Sequence, residues 1–82
     1  MNISKAQLKE DKYDAYHNVL HKLARAYCLD SDTDFITMAT KECKRYEESM
    51  RVYAFLCRNR REIVDEAREM GDRMLTQLEV GD

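Results

Sequence analysis

Apolar residues recur at alternating three- and four-residue steps along most of this chain. Between residues 5 and 28 the rhythm runs through Tyr13, Tyr16, Leu20, Leu23 and Tyr27, widened by Val19 and Ala24. That spacing marks one face of an α-helix. A second seam runs through Ile36, Ala39, Cys43, Tyr46, Met50, Tyr53 and Cys57. Past Asn59 the same rhythm passes through Arg60, Val64, Ala67, Gly71, Met74 and Leu78. Two of these are poor seam residues. Arg60 must carry its charge out of a core, and Gly71 lowers helix propensity by about 1 kcal/mol relative to Ala.

Side chains able to satisfy the free N–H groups of a helix start set the boundaries. Ser4 with Gln7 has capping-box spacing, flanked by Ile3 and Leu8 where a hydrophobic staple would sit. Ser31 with Asp34, or Thr33 alone, can cap a second helix after the polar interruption Leu29-Asp30-Ser31-Asp32. Asn59 with Glu62 repeats the box spacing. The sequence therefore predicts a single helical domain over residues 1–82, with helices at about 5–28, 32–58 and 60–79. The fold class is all-α: a small three-helix bundle that breaks near Asn59, or a helical hairpin with a long second helix. Either form is expected to self-associate.

Composition narrows the class. The 82 residues are 44% hydrophobic and 37% charged, too apolar for a disordered tail. With no proline and only Gly71 and Gly81, strand-rich folds lack their usual turn residues. The longest apolar run, Val52 to Cys57, is far shorter than the ~20 residues a membrane-spanning helix needs. Residues 1–15 hold six charged side chains and no apolar stretch, so no secretory signal is expected within them. Cys28, Cys43 and Cys57 are odd in number and match no zinc spacing. Reduced, mostly buried thiols in a cytoplasmic protein are the expectation.

Net charge is −2, but it is unevenly placed. Residues 41–61 carry seven basic against three acidic side chains, and residues 62–82 two against seven. Lys44, Arg51 and Arg58 recur every seven residues on one helical face. An acidic third helix folded back on a basic second one, or an antiparallel partner chain, would place these halves side by side. The Arg58-Asn59-Arg60-Arg61 cluster is also the best place to grip a phosphate or carboxylate.

No enzyme is expected. The sequence has no glycine-rich phosphate loop and no readable serine–histidine–acid arrangement, and a chain this short has little volume to line a pocket. His17 and His21, one turn apart with Asp14 nearby, are weak metal candidates without an identifiable third ligand. Neither a metal nor a cofactor is expected. The leading function is a non-enzymatic protein–protein interaction module, a small adaptor, inhibitor or regulator. It would act through an apolar surface on the second helix, because Val52–Cys57 is apolar on every side. Tyr46, Met50, Tyr53, Phe55 and Leu56 would be its anchors, with Arg51, Arg58 and Arg61 at the rim. Its partner would be another protein, itself as a homodimer, or both, and not a membrane. The alternative is nucleic-acid or phosphorylated-ligand binding through Arg58–Arg61.

Overall fold

The computed structural model describes residues 3–80, and of Val80 only its backbone. The two residues at each end of the expected 1–82 domain lie outside the described residues. The chain is all-α, with four helices and no strand among the described residues: α1 (Lys5–Cys28), α2 (Phe35–Cys43), α3 (Ser49–Arg58) and α4 (Arg60–Val80).

Helix α1 starts where Ser4 Oγ accepts the Gln7 N–H at 3.1 Å. The reciprocal half of the box is absent, since Gln7 Nε2 donates to Asp11 Oδ1 instead. The helix ends in a Schellman turn: the Ser31 N–H reaches the Ala26 carbonyl at 2.8 Å and the Asp30 N–H the Tyr27 carbonyl at 3.3 Å. Asp30, at φ 54°, takes the left-handed position usually given to glycine. That turn delays the next start. Helix α2 begins at Phe35, capped by Asp34, whose Oδ1 accepts the Thr37 N–H at 2.9 Å. This bond holds the Asp34 carboxyl below its ordinary value.

The single helix expected over 32–58 is two helices. Residues 44–48 interrupt it without glycine or proline. The last turn of α2 tightens through Arg45 N–H to the Glu42 carbonyl and Tyr46 N–H to the Cys43 carbonyl, both three-residue steps. Tyr46 then anchors the reversal by sending its hydroxyl to Glu42 and to Asp14 of α1. By contrast, the expected break near Asn59 is a one-residue interruption. The Asn59 N–H still reaches Phe55 and the Ile63 N–H still reaches Asn59. The Asn59 side chain donates to the Phe55 carbonyl at 2.8 Å rather than capping α4.

Cross-helix contacts fix the directions. Asn18 and Lys22 of α1 meet Glu42, while the earlier Asp14 meets the later Tyr46, so α2 runs against α1. Tyr13 and Tyr16 meet Phe55, while the later Ala24 and Tyr27 meet Gly71, so α3 and α4 both run along α1 in its own sense. The 32 residues of α3 and α4 with their junction span roughly 48 Å at about 1.5 Å per residue, close to the 51 Å longest dimension. The acidic α4 therefore continues α3 and does not fold back over it.

Ala15, Val19, Leu20, Leu23 and Ala24 of α1 form the centre of the core, with Phe35, Ala39 and Cys43 of α2, Val52 and Leu56 of α3, and Ile63 and Ala67 of α4. The expected second seam holds only in part, with Ala39 and Cys43 buried. Phe35, Val52 and Leu56, off the expected seam, are buried, while Ile36 and Met50, on it, are 40% and 78% exposed. The break at residues 44–48 resets the helical phase, so one continuous wheel cannot describe both sides. Gly71 has a packing role: a Cβ there would stand 2.9 Å from the Ala24 carbonyl oxygen and 3.0 Å from Tyr27 Cβ.

Candidate functional site

The apolar turn Val52–Cys57 is covered on one side only. Val52 and Leu56 are fully buried, Tyr53, Phe55 and Cys57 are half-buried, and Ala54 is exposed. Leu56 is therefore a core residue and cannot anchor a partner, which corrects its place in the expected surface. It belongs to the core shared with Val19 and Leu23 of α1 and Ile63 of α4. Phe55 is also engaged from within. Its ring meets Tyr13 edge-on at 6.1 Å and lies 6.4 Å from Tyr16, with the Lys12 ammonium 5.6 Å away.

Tyr46 is held by its own chain. Its hydroxyl lies 2.6 Å from Glu42 Oε2 and 3.1 Å from Asp14 Oδ2. Burial above all, then these two carboxylates, pushes the phenol well above its usual value. Glu42, not among the expected site residues, has a fully buried side chain. It accepts from Asn18 Nδ2 at 2.7 Å and from Tyr46, with Lys22 Nζ and Arg45 Nη1 each 3.4 Å away. Burial works to raise its pKa, but the bonds from Tyr46 and Asn18 and the two cations outweigh it and hold the carboxyl below its ordinary value. The spacing Phe35, Ala39, Glu42, Tyr46 was the available signal, since it puts Glu42 on the inward face of α2.

What remains open to solvent is the junction of α2 and α3. Thr40, Cys43, Lys44, Ser49, Met50 and Tyr53 line an apolar groove of about 320 Å³. Met50 stands at its edge, 78% exposed. Cys43, at its floor, is pushed up to about 11 by burial first and then by Glu42 and Cys57, so its thiol stays protonated at neutral pH. Of the expected rim, Arg51 pairs with Glu48 at 3.5 Å. Arg58 and Arg61 are exposed and, with Arg60, Cys57, Val64 and Asp65, line a second open hollow of about 500 Å³. Arg60 also lies over the Phe35 ring at 5.7 Å.

The structure thus brings Met50 and Tyr53 together, places Arg58 and Arg61 one hollow away, and withdraws Leu56. His17 and His21 stack at 6.4 Å between ring centroids and are exposed. Asp14, their nearby carboxylate, is turned to Tyr46. Among the described residues, no group of three or more His, Cys, Asp or Glu side chains is placed to hold a metal ion. No described helix is long and apolar enough to cross a membrane. No family model matches the chain, and no match is found among curated proteins or solved structures.

Proposed function

We propose that this protein is a non-enzymatic interaction module, a small cytoplasmic adaptor or regulator that docks through the α2–α3 groove. The observation that carries this reading is Met50, a large apolar side chain 78% exposed beside an apolar groove rather than isolated on a polar face. Tyr53 forms the wall behind it, and Lys44 supplies a cation at its edge that favours an acidic or mixed partner surface. The three free thiols support a reducing compartment. The test compares partners retained by immobilised wild type, Met50→Asp and a Lys9→Asp control on α1. A partner lost with Met50→Asp alone supports the groove; identical retention by all three overturns it.

A second reading rests on the hollow at Arg58, Arg60 and Arg61. Among the described residues the ion pairs are Lys22–Glu42, Arg45–Glu42 and Arg51–Glu48, so none of these three guanidinium groups is ion-paired, although Asp65 shares the hollow with them. A phosphorylated ligand or nucleic acid would then bind with an affinity that falls steeply with salt. Fluorescence titration with a labelled oligonucleotide at about 50 mM salt decides it, and no binding there removes the reading.

A further inference from the structure

The start of α1 carries a group of cations that the fold leaves unneutralised. Lys5, Lys9 and Lys12 stand four and three residues apart, so at 3.6 residues per turn they occupy one sector of about 60°. Glu10, Asp11 and Asp14 fall elsewhere on the circumference, each at least about 100° from the nearest of these lysines. Asp11 accepts from the Gln7 amide and Asp14 from the Tyr46 hydroxyl. Among the described residues none of the three lysines is ion-paired. The first turn of α1 holds no acidic side chain either, so nothing there offsets the partial positive charge of the helix's amino end.

This cationic face borders an open hollow of about 360 Å³, lined by Lys5, Leu8, Lys9, Lys12 and Tyr13 of α1 with Phe55 of α3. Phe55 and Lys12 are half-buried, the ammonium 5.6 Å from the centre of the ring. Lys5 and Lys9 are exposed, and Tyr13, edge-on to Phe55, is 53% exposed. An exposed phenol ring beside three cations joins the two features that hold a nucleotide, a flat face for the base and ammonium groups for its phosphate. The lysines are spread over about 10.5 Å of helix, which a row of phosphates matches better than one compact anion. Phe55 lies about 160° around α3 from Tyr53. The hollow and the Met50–Tyr53 groove therefore face different ways.

We propose that the hollow between the start of α1 and Phe55 binds single-stranded nucleic acid, with a base stacked on the Tyr13 ring and successive phosphates held by Lys5, Lys9 and Lys12. A duplex keeps its bases stacked on one another and offers Tyr13 no free face. An acidic peptide would satisfy the lysines but leave the exposed ring without a role. The site stands independently of the docking groove and of the Arg58–Arg61 hollow.

Fluorescence anisotropy with a labelled single strand of about ten nucleotides tests it. Wild type is compared with Lys5→Gln plus Lys9→Gln, with Tyr13→Leu, and with Arg58→Gln plus Arg61→Gln. All five sites are exposed, and circular dichroism checks that each variant keeps its helix content. The expected result is wild-type binding at about 50 mM salt, with log affinity falling against log salt at a slope of about −2, the value for three phosphate contacts on a single strand. The lysine pair binds at least about tenfold more weakly, with a slope shallower by about 1.4. Tyr13→Leu raises Kd at least about fivefold, and the arginine pair leaves affinity and slope nearly unchanged. Absence of wild-type binding overturns the proposal. So does loss through the arginine pair alone, which moves the site to the Arg58–Arg61 hollow. A duplex bound as tightly as the single strand overturns it as well, as does polyglutamate that competes as well as unlabelled strand. Partner retention on Met50→Asp is scored on proteins and this titration on nucleic acid, so the failure of one leaves the other standing.

Discussion

A carboxylate shut away from water stays ionised only when donors replace its hydration, and Glu42 obtains them from Asn18, Tyr46, Lys22 and Arg45. Its folded pKa lies below the ordinary 4.5. The unfolded chain therefore takes up the proton first as pH falls, and the stability from this site is complete above that value and lost below it. Asp34, also depressed, adds a slope of the same sign. Urea midpoints between neutral and acidic pH should fall for wild type, and Glu42→Gln should flatten the decline without abolishing it. Glu42→Ala strands the Asn18 and Tyr46 donors and should cost about 2–3 kcal/mol at neutral pH. Gly71→Ala sets two effects against each other. Helix propensity gains about 1 kcal/mol, but the new Cβ meets the Ala24 backbone oxygen at 2.9 Å, which no rotamer change relieves. A net loss of about 1–3 kcal/mol in thermal or urea unfolding is expected. Cys43, nearly buried and protonated, should label with a thiol reagent at neutral pH much more slowly than half-buried Cys28 and Cys57.

At the scale of the helices, what the sequence made legible was whatever depended on local chemistry. The Ser4 cap and the extent of α1 could be read because each depends on residues within a turn of one another, whereas α4 starts at Arg60 without the Asn59 side-chain cap its spacing suggests. The reversal at residues 44–48 could not be read that way, because its cause is distant. Tyr46 turns toward Asp14, thirty-two residues earlier, and Glu42 accepts from Asn18, twenty-four residues earlier. That same hidden reversal explains why Leu56 reads as a surface anchor although it is buried. The groove inherits the problem, since Thr40 and Tyr53 meet only once the chain has turned. Two element-level measurements follow. Leu56→Ala empties a fully buried site and should destabilise by about 2–5 kcal/mol, whereas Met50→Ala, at 78% exposure, should barely move the urea midpoint. Asp30→Gly relieves the left-handed residue of the α1 Schellman turn at φ 54° and should stabilise by about 0.5–1 kcal/mol.

Across the whole molecule, protection is uneven by construction. The middle of α1 touches all three other helices, while the last turns of α4 extend past it with Leu75, Thr76, Gln77, Leu78 and Glu79 exposed. Amide hydrogen exchange should be slowest around Val19–Leu23 and fastest beyond Met74 in a monomer. The separation of cations and carboxylates along the long axis also acts at a distance that no single contact measures. A body charged this way carries a strong permanent dipole, and each pole can adhere by itself. At neutral pH a chain of net charge −2 should be retarded on a cation-exchange resin as well as on an anion exchanger, each resin holding the opposite tip.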